Sequence, residues 1–310
     1  MIKRTRGMID GIVQGVGFRP FIYQLAFRYG LTGYVTNTAE GVDIEIEGPQ
    51  EEIQLFIDAV EAERPPLALI ASADWAEIPS INEDSFVIRR SRVGEERSAL
   101  ISPDVGICSD CLSEMRNPRD RRFGYPFINC TNCGPRYTII MDIPYDRSAT
   151  TMKAFGMCAA CRKEYGDPNN RRFHAQPNAC WDCGPVTSLY DGNGRKISCS
   201  DPIEESISFL QNASILAIKG LGGFHLAVDA SNNKGVARLR RRKHREEKPL
   251  AIMVKDLDAA FKIAHISNRE AELLGSHQRP IVLLKKLRSH GLSPKVAPKN
   301  RYTGIMLPYT

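Results

Sequence analysis

Hydrophobic and polar positions follow three successive rhythms along this chain. Near the start, Lys3–Val13 alternates like a strand and runs into a glycine-rich stretch. Phe21 and Leu25 then mark the buried face of a helix over Phe21–Tyr29, with Gly30 suited to stop it. Strand-like runs follow at Gly33–Asn37 and Val42–Glu47, joined by Thr38–Gly41 as a hairpin turn. Ile53, Phe56, Ile57 and Val60 fall at helical spacing and predict a second helix over Gln50–Ala62. Further strands are expected at Ala71–Ile78 and Ser85–Arg90. The order β-α-β-β-α-β is that of a ferredoxin-like unit with its helices on one face of the sheet.

From Asp104 to about Pro185 the long apolar runs vanish, and Cys, Pro, Asn and Arg take their place. Apolar strands return at Ile215–Ile218, Ala251–Val254 and Ile281–Leu284, with helical stretches between them. The polar stretches Ser91–Pro103 and Tyr190–Asp201 read as linkers. The expected organisation is therefore α+β and multidomain: residues 1–91, 104–186 and 200–310.

The chemistry of the middle segment lies in its cysteines. Cys108 with Cys111, Cys130 with Cys133, Cys158 with Cys161, and Cys180 with Cys183 form C-x-x-C knuckles, and the second half repeats the first 50 residues later. Glu114 and Glu164, Pro118 and Pro168, Arg121-Arg122-Phe123 and Arg171-Arg172-Phe173 obey the same offset, so the segment is an internal duplication over 108–133 and 158–183. Two knuckles supply a closed tetrahedral thiolate shell, which suits a structural zinc ion. Two such sites are expected, paired within each repeat. A crossed pairing of the first and fourth knuckles fits the spacing too, and rubredoxin-like iron or a redox dithiol is the chemical rival. Cys199 reads as a lone thiol. His174, which stands where the first repeat has Gly124, is not needed as a ligand.

Composition adds little until charge is mapped. The chain is 42% hydrophobic and 25% charged, with a net charge of +6. No apolar run reaches the roughly 18–20 residues that cross a bilayer, so no membrane role is expected. Met1–Asp10 lacks the apolar segment of a signal peptide, and a cytoplasmic location follows as the expectation, with thiols reduced and free for metal. Between Arg238 and Lys248 seven basic residues stand against Glu246 and Glu247, a concentration that favours phosphate or nucleic acid over a plain solvated helix face.

The segment Gly11-Ile12-Val13-Gln14-Gly15-Val16-Gly17-Phe18-Arg19 leads from a strand into a helix. Its glycines let successive N–H groups converge on an anion, and Arg19 adds a guanidinium. This string, with Gly33-Tyr34-Val35-Thr36-Asn37-Thr38 and Gly41 after it, resembles the acylphosphatase signature. The resemblance implies phosphate binding by Gly15, Val16, Gly17, Phe18 and Arg19, and orientation of the attacking water by Asn37, making Arg19 and Asn37 the catalytic pair.

Ile215–Lys219 runs into Gly220-Leu221-Gly222-Gly223, a poor dinucleotide fingerprint. Together with Lys243-His244-Arg245-Glu246-Glu247-Lys248-Pro249-Leu250 it resembles the YrdC-like nucleotide-binding fold, which implies ATP phosphates held by Lys243, Arg245 and Lys248, with Lys219 as a fourth. The Ser-x-Asn element of that family has no counterpart before Thr310, so the domain is expected to be truncated and the chain to be part of a longer protein.

The order of the three parts resembles the N-terminal part of the HypF family, carbamoyltransferases of nickel–iron hydrogenase maturation. That implies hydrolysis of carbamoyl phosphate, activation of carbamate with ATP and Mg2+ as carbamoyl adenylate, and transfer to the C-terminal cysteine of a HypE-type partner. A zinc module is then expected to space two catalytic domains. The competing expectation is a zinc-dependent RNA-binding module carrying an acylphosphatase-like domain, with Arg121, Arg122, Arg171, Arg172 and the Arg238–Lys248 cluster meeting double-stranded RNA.

Overall fold

The computed structural model describes residues 1–92 and 99–309, so residues 93–98 of the expected Ser91–Pro103 linker lie outside the described residues. The chain divides into two compact units, Met1–Pro185 and Val186–Thr310. The cysteine-rich segment thus packs with the N-terminal segment instead of standing apart.

The first unit begins with β1 (Ile2–Ile12), α1 (Phe18–Arg28), β2 (Thr32–Asn37), β3 (Val42–Pro49), α2 (Gln50–Ala62), β4 (Leu69–Ile78) and β5 (Phe86–Ile88). The sheet order is β4-β1-β3-β2-β5, antiparallel except for the β2–β5 pair. Alternation along β3 explains its two faces. Val42, Ile44 and Ile46 point into the core with Ile22, Leu25, Ile53 and Phe56 of the two helices. Asp43, Glu45 and Glu47 point the other way and meet Arg4 and Arg6, with Arg4 2.6 Å from Glu45 and 3.0 Å from Glu47. The helix α1 starts three residues before the expected Phe21. Gly17, at φ 79, turns the chain directly into it, and Pro20 fits a first turn that needs no N–H from it.

The remainder of this unit carries little regular structure beyond α3 (Ser109–Arg116) and α4 (Ala159–Gly166). Each follows the first cysteine of its repeat, whose sulfur caps the helix by accepting the Cys111 or Cys161 N–H at 3.5 Å. The duplication is three-dimensional: Gly124 N–H donates to Met115 O as His174 N–H donates to Tyr165 O, 50 residues on.

The second unit contains α5 (Pro202–Gln211), β6 (Leu216–Lys219), β7 (Phe224–Ala227), α6 (Asn233–Arg242), β8 (Ile252–Met253), α7 (Leu257–Phe261), β9 (Ala264–His265), α8 (Asn268–Gly275), β10 (Val282–Lys286) and β11 (Tyr302–Met306). A four-stranded sheet, β8-β11-β10-β9, packs Ile252, Leu284 and Ile305 against Val236 and Leu274. Helix starts are set by side-chain caps: Asp201 for α5, Asn232 for α6, and a Ser267–Glu270 capping box for α8. The strands β6 and β7 form a separate hairpin, with Ile218, Phe224 and Leu226 exposed.

Candidate active site and zinc centres

The loop between β1 and α1 is pinned from below and covered from above. Val16 and Phe18 sink into the core, while Gly15 and Gly17 adopt left-handed conformations, φ 73 and 79, that favour glycine. Gln14 fixes the loop by donating to Thr38 O and Gly41 O at 2.8 and 2.9 Å and accepting from Tyr145 N–H at 2.9 Å. The cover comes from the cysteine-rich segment. A Cβ on Gly15 would lie 3.1 Å from Arg136 Cδ and 3.2 Å from Tyr145 Cδ1, and one on Gly17 would lie 3.3 Å from Thr131 Cβ. Arg136 is buried and donates to Gly15 O as well as to Cys130 O, Thr131 O and Cys133 O, stitching the second knuckle to the loop.

Arg19 is buried beside this loop. Its guanidinium pairs with Asp146 at 2.8 Å and also reaches Ser91 Oγ at 3.3 Å and Tyr145 O at 3.4 Å. Ser91 in turn donates to Asp146. Asn37, at the end of β2, is 1% exposed, and neither its amide oxygen nor its amide nitrogen has a partner. A buried amide left unsatisfied is costly unless something else fills its place. Arg19, Asn37, Gly15 and Gly17 line one cleft of about 330 Å³, mouth included, together with Thr131, Arg136, Tyr145, His174 and Gln176. The structure therefore brings the loop, Arg19 and Asn37 together. Sequence reasoning missed Ser91, Thr131, Arg136, Tyr145, Asp146 and Gln176; His174 gave a signal by breaking the repeat where Gly124 stands.

The cysteines gather within repeats: Cys108, Cys111, Cys130 and Cys133 in one cluster, Cys158, Cys161, Cys180 and Cys183 in the other. His174 belongs to neither cluster. Neighbouring sulfurs lie 3.7 and 3.8 Å apart in the first and 3.8, 3.9 and 3.5 Å apart in the second. A tetrahedral Zn–S bond of about 2.3 Å implies edges of about 3.8 Å, so both clusters fit a zinc ion and are far too open for disulfides.

The two arginine pairs are used reciprocally. Arg122 donates to Glu164 at 2.5 Å and to Ala179 O at 2.9 Å; Arg172 donates to Glu114 and, at 3.0 Å, to Asn129 O. Arg121 approaches Cys161 at 3.3 Å and Arg171 approaches Cys111 at 3.1 Å. Each repeat thus neutralises thiolate and carboxylate charge of the other. Burial would raise the Glu164 carboxyl, but Arg122 and Arg121 pull it down to about 2. Of the four arginines expected to meet RNA, Arg122 and Arg172 are buried and already partnered.

In the second unit Lys219, Lys243 and Lys248 are exposed, on β6, at the end of α6 and in the loop after it. Arg245 donates to Lys248 O at 3.0 Å and to Pro249 O at 2.5 Å, holding that loop. Arg240, expected within an anion-facing cluster, is instead buried and donates to Arg245 O, Glu246 O, Lys248 O and Val296 O. None of the four expected nucleotide residues lines the described clefts of this unit.

Fold and sites define a class: an acylphosphatase-like domain joined to paired four-cysteine zinc fingers and a YrdC-like domain. Family models agree, matching acylphosphatase over residues 5–88, the HypF finger over 107–140 and 157–190, and the Sua5/YciO/YrdC family, described as telomere recombination, over 208–310. The chain is similar to carbamoyltransferase HypF2 of Cupriavidus necator, 47% identical over 99% of this chain and 38% of that protein. It is also similar to a crystal structure of full-length HypF in the phosphate- and nucleotide-bound form, with TM-score 0.94 and 46% identity over 100% of this chain and 40% of that one. An acylphosphatase of Geobacillus kaustophilus is 44% identical over 62 residues, 20% of this chain and 66% of that protein. The chain belongs to the HypF family of carbamoyltransferases. It spans about two fifths of the length of the relatives it matches.

Proposed function

We propose that the first unit hydrolyses an acyl phosphate, with carbamoyl phosphate as the substrate. The observation that carries this reading is Asn37, a buried amide without partners, facing the same cleft as Arg19 and the two left-handed glycines. In this reading the N–H groups of Gly15–Arg19 and the Arg19 guanidinium hold the phosphoryl oxygens, and Asn37 orients the attacking water. Water adds to phosphorus, the P–O bond to the acyl group breaks, and carbamate and phosphate result. Carbamate leaves as a weakly basic, resonance-delocalised anion, so no general acid is required; positioning and charge stabilisation carry the step. Asp146 holds the Arg19 guanidinium by an ion pair at 2.8 Å.

The second unit then serves a nucleotide. Lys219, Lys243, Arg245 and Lys248 contact ATP phosphates with Mg2+, and carbamate attacks the α-phosphorus to give carbamoyl adenylate and pyrophosphate. The whole protein passes the carbamoyl group to the C-terminal cysteine of a HypE-type partner in hydrogenase maturation, in the cytoplasm. The phosphate- and nucleotide-bound state named for the similar HypF structure supports both ligand classes. Two zinc ions, on Cys108, Cys111, Cys130, Cys133 and on Cys158, Cys161, Cys180, Cys183, stabilise the cover of the phosphate loop and take no part in the chemistry.

Phosphate release from carbamoyl phosphate by the Arg19→Ala variant tests this. Loss of the guanidinium should lower kcat by about 10²–10³-fold, the usual effect of removing one charge-stabilising donor. Unchanged turnover would reject the assignment.

A further inference from the structure

His174 occupies a backbone position that its own duplicate gives to glycine. Gly124 sits at φ 67 and His174 at φ 52, each donating its N–H back to the helix of its repeat. Left-handed backbone is uncommon for a residue with a Cβ, and nothing in the zinc geometry asks for a histidine there. What distinguishes the second position is its surroundings. His174 lines the cleft that holds Arg19 and Asn37, and also the adjoining cleft beside Asp146. Its ring packs edge-on against Phe173, centroids 4.7 Å apart, and lies tilted against Tyr165 at 4.9 Å. Neither ring nitrogen takes a hydrogen bond among the described residues. The neighbouring Gln176 is already filled as an acceptor: its oxygen accepts from Arg147 N–H at 2.8 Å and Tyr165 OH at 3.1 Å, while its amide nitrogen donates to His174 O at 2.9 Å.

We infer that His174 is a specificity-determining residue of the acyl-phosphate site, accepting a hydrogen bond from an N–H on the acyl group and so selecting a carbamoyl over an acetyl phosphate. The inference rests on the acyl-phosphate reading above. Burial, with the Arg19 charge nearby, pushes the His174 imidazole down to about 4, so at neutral pH it is uncharged and offers one ring nitrogen as an acceptor. A carbamoyl group presents two N–H donors where an acetyl group presents a methyl. A site built to bond a substrate N–H discriminates against the analogue without one, because the polar group is then left unpaired. The zinc module thereby contributes recognition to a phosphate loop that belongs to another fold.

The duplication supplies the test. His174→Gly installs the residue that the sister repeat tolerates and removes the side chain from a left-handed position. Initial rates of phosphate release are measured on the full chain with carbamoyl phosphate and with acetyl phosphate, alongside the melting temperature. The variant should melt no lower than the parent, lose about 10- to 100-fold in kcat/KM for carbamoyl phosphate, and keep its rate on acetyl phosphate within about threefold. His174→Asn, which tolerates the same backbone and keeps an acceptor, should recover part of the preference. Equal losses on both substrates, or no loss on either, would overturn the role of His174 while leaving the acyl-phosphate reading intact. A parent chain that releases phosphate from neither substrate overturns that reading and this inference together.

Discussion

In the unit Met1–Pro185 the guanidiniums of Arg4, Arg19, Arg122, Arg136 and Arg172 are buried, and each is met by carboxylates or by converging carbonyls. In the unit Val186–Thr310 the lysines expected to matter are exposed ammoniums, while Arg240, buried, and Arg245, half-buried, are turned onto carbonyls as the first unit turns its arginines. The difference teaches how to read a basic cluster. A planar five-donor group can organise a loop from inside, and once buried it is structure; a lysine at the surface remains available to a ligand. Of the first unit's buried arginines, Arg19 and Arg136 line the cleft, while Arg4 braces the sheet and Arg122 and Arg172 tie the two cysteine repeats together.

Cutting one link in the reciprocal arginine network is the strongest way to break this contrast by mutation. Glu164→Ala leaves Arg122 buried without its carboxylate and should destabilise the first unit by about 3–5 kcal/mol, read as a fall in its melting transition while the second unit's is unmoved. Acid should do the same more gently. Glu164 is held near 2, below its ordinary 4.5, so its contribution is complete above about pH 4.5 and is lost as pH falls toward 2. At ~1.36 kcal/mol per unit that is about 3 kcal/mol at most, visible as a melting temperature of the first unit that drops over that window. In the second unit the exposed Lys299–Glu247 pair is the opposite case. Lys299→Ala should change stability by less than about 1 kcal/mol, and a larger shift would show that exposure misjudges that pair.

Much of this was legible in residues close together in sequence. The glycine loop, Asn37 six residues into its strand, and the four knuckles are local patterns, and their chemistry follows from spacing. The 50-residue offset exposed the duplication, and with it His174, which stands where the first repeat has Gly124. What stayed hidden depends on packing across more than 100 residues. Nothing in the sequence ties Asp146 to Arg19 or Arg136 to Gly15, because each pairing exists only once the zinc module lies on the loop. Charge alone also misled: Arg122, Arg172 and Arg240 read equally well as polyanion contacts until burial assigned them inward. The expected role of the module as a spacer changes accordingly, since it closes the cleft and lines it.

That joint construction is the central claim, and zinc is the handle on it. Phosphate release from carbamoyl phosphate should be followed on the full chain as metal is withdrawn with a strong chelator and then returned, with zinc content measured at each step. Turnover should fall with zinc occupancy and recover when two ions per chain are restored, because the clusters hold the cover that positions Arg19. Undiminished turnover in the zinc-free chain would contradict the account, showing that the phosphate loop works without the module folded over it.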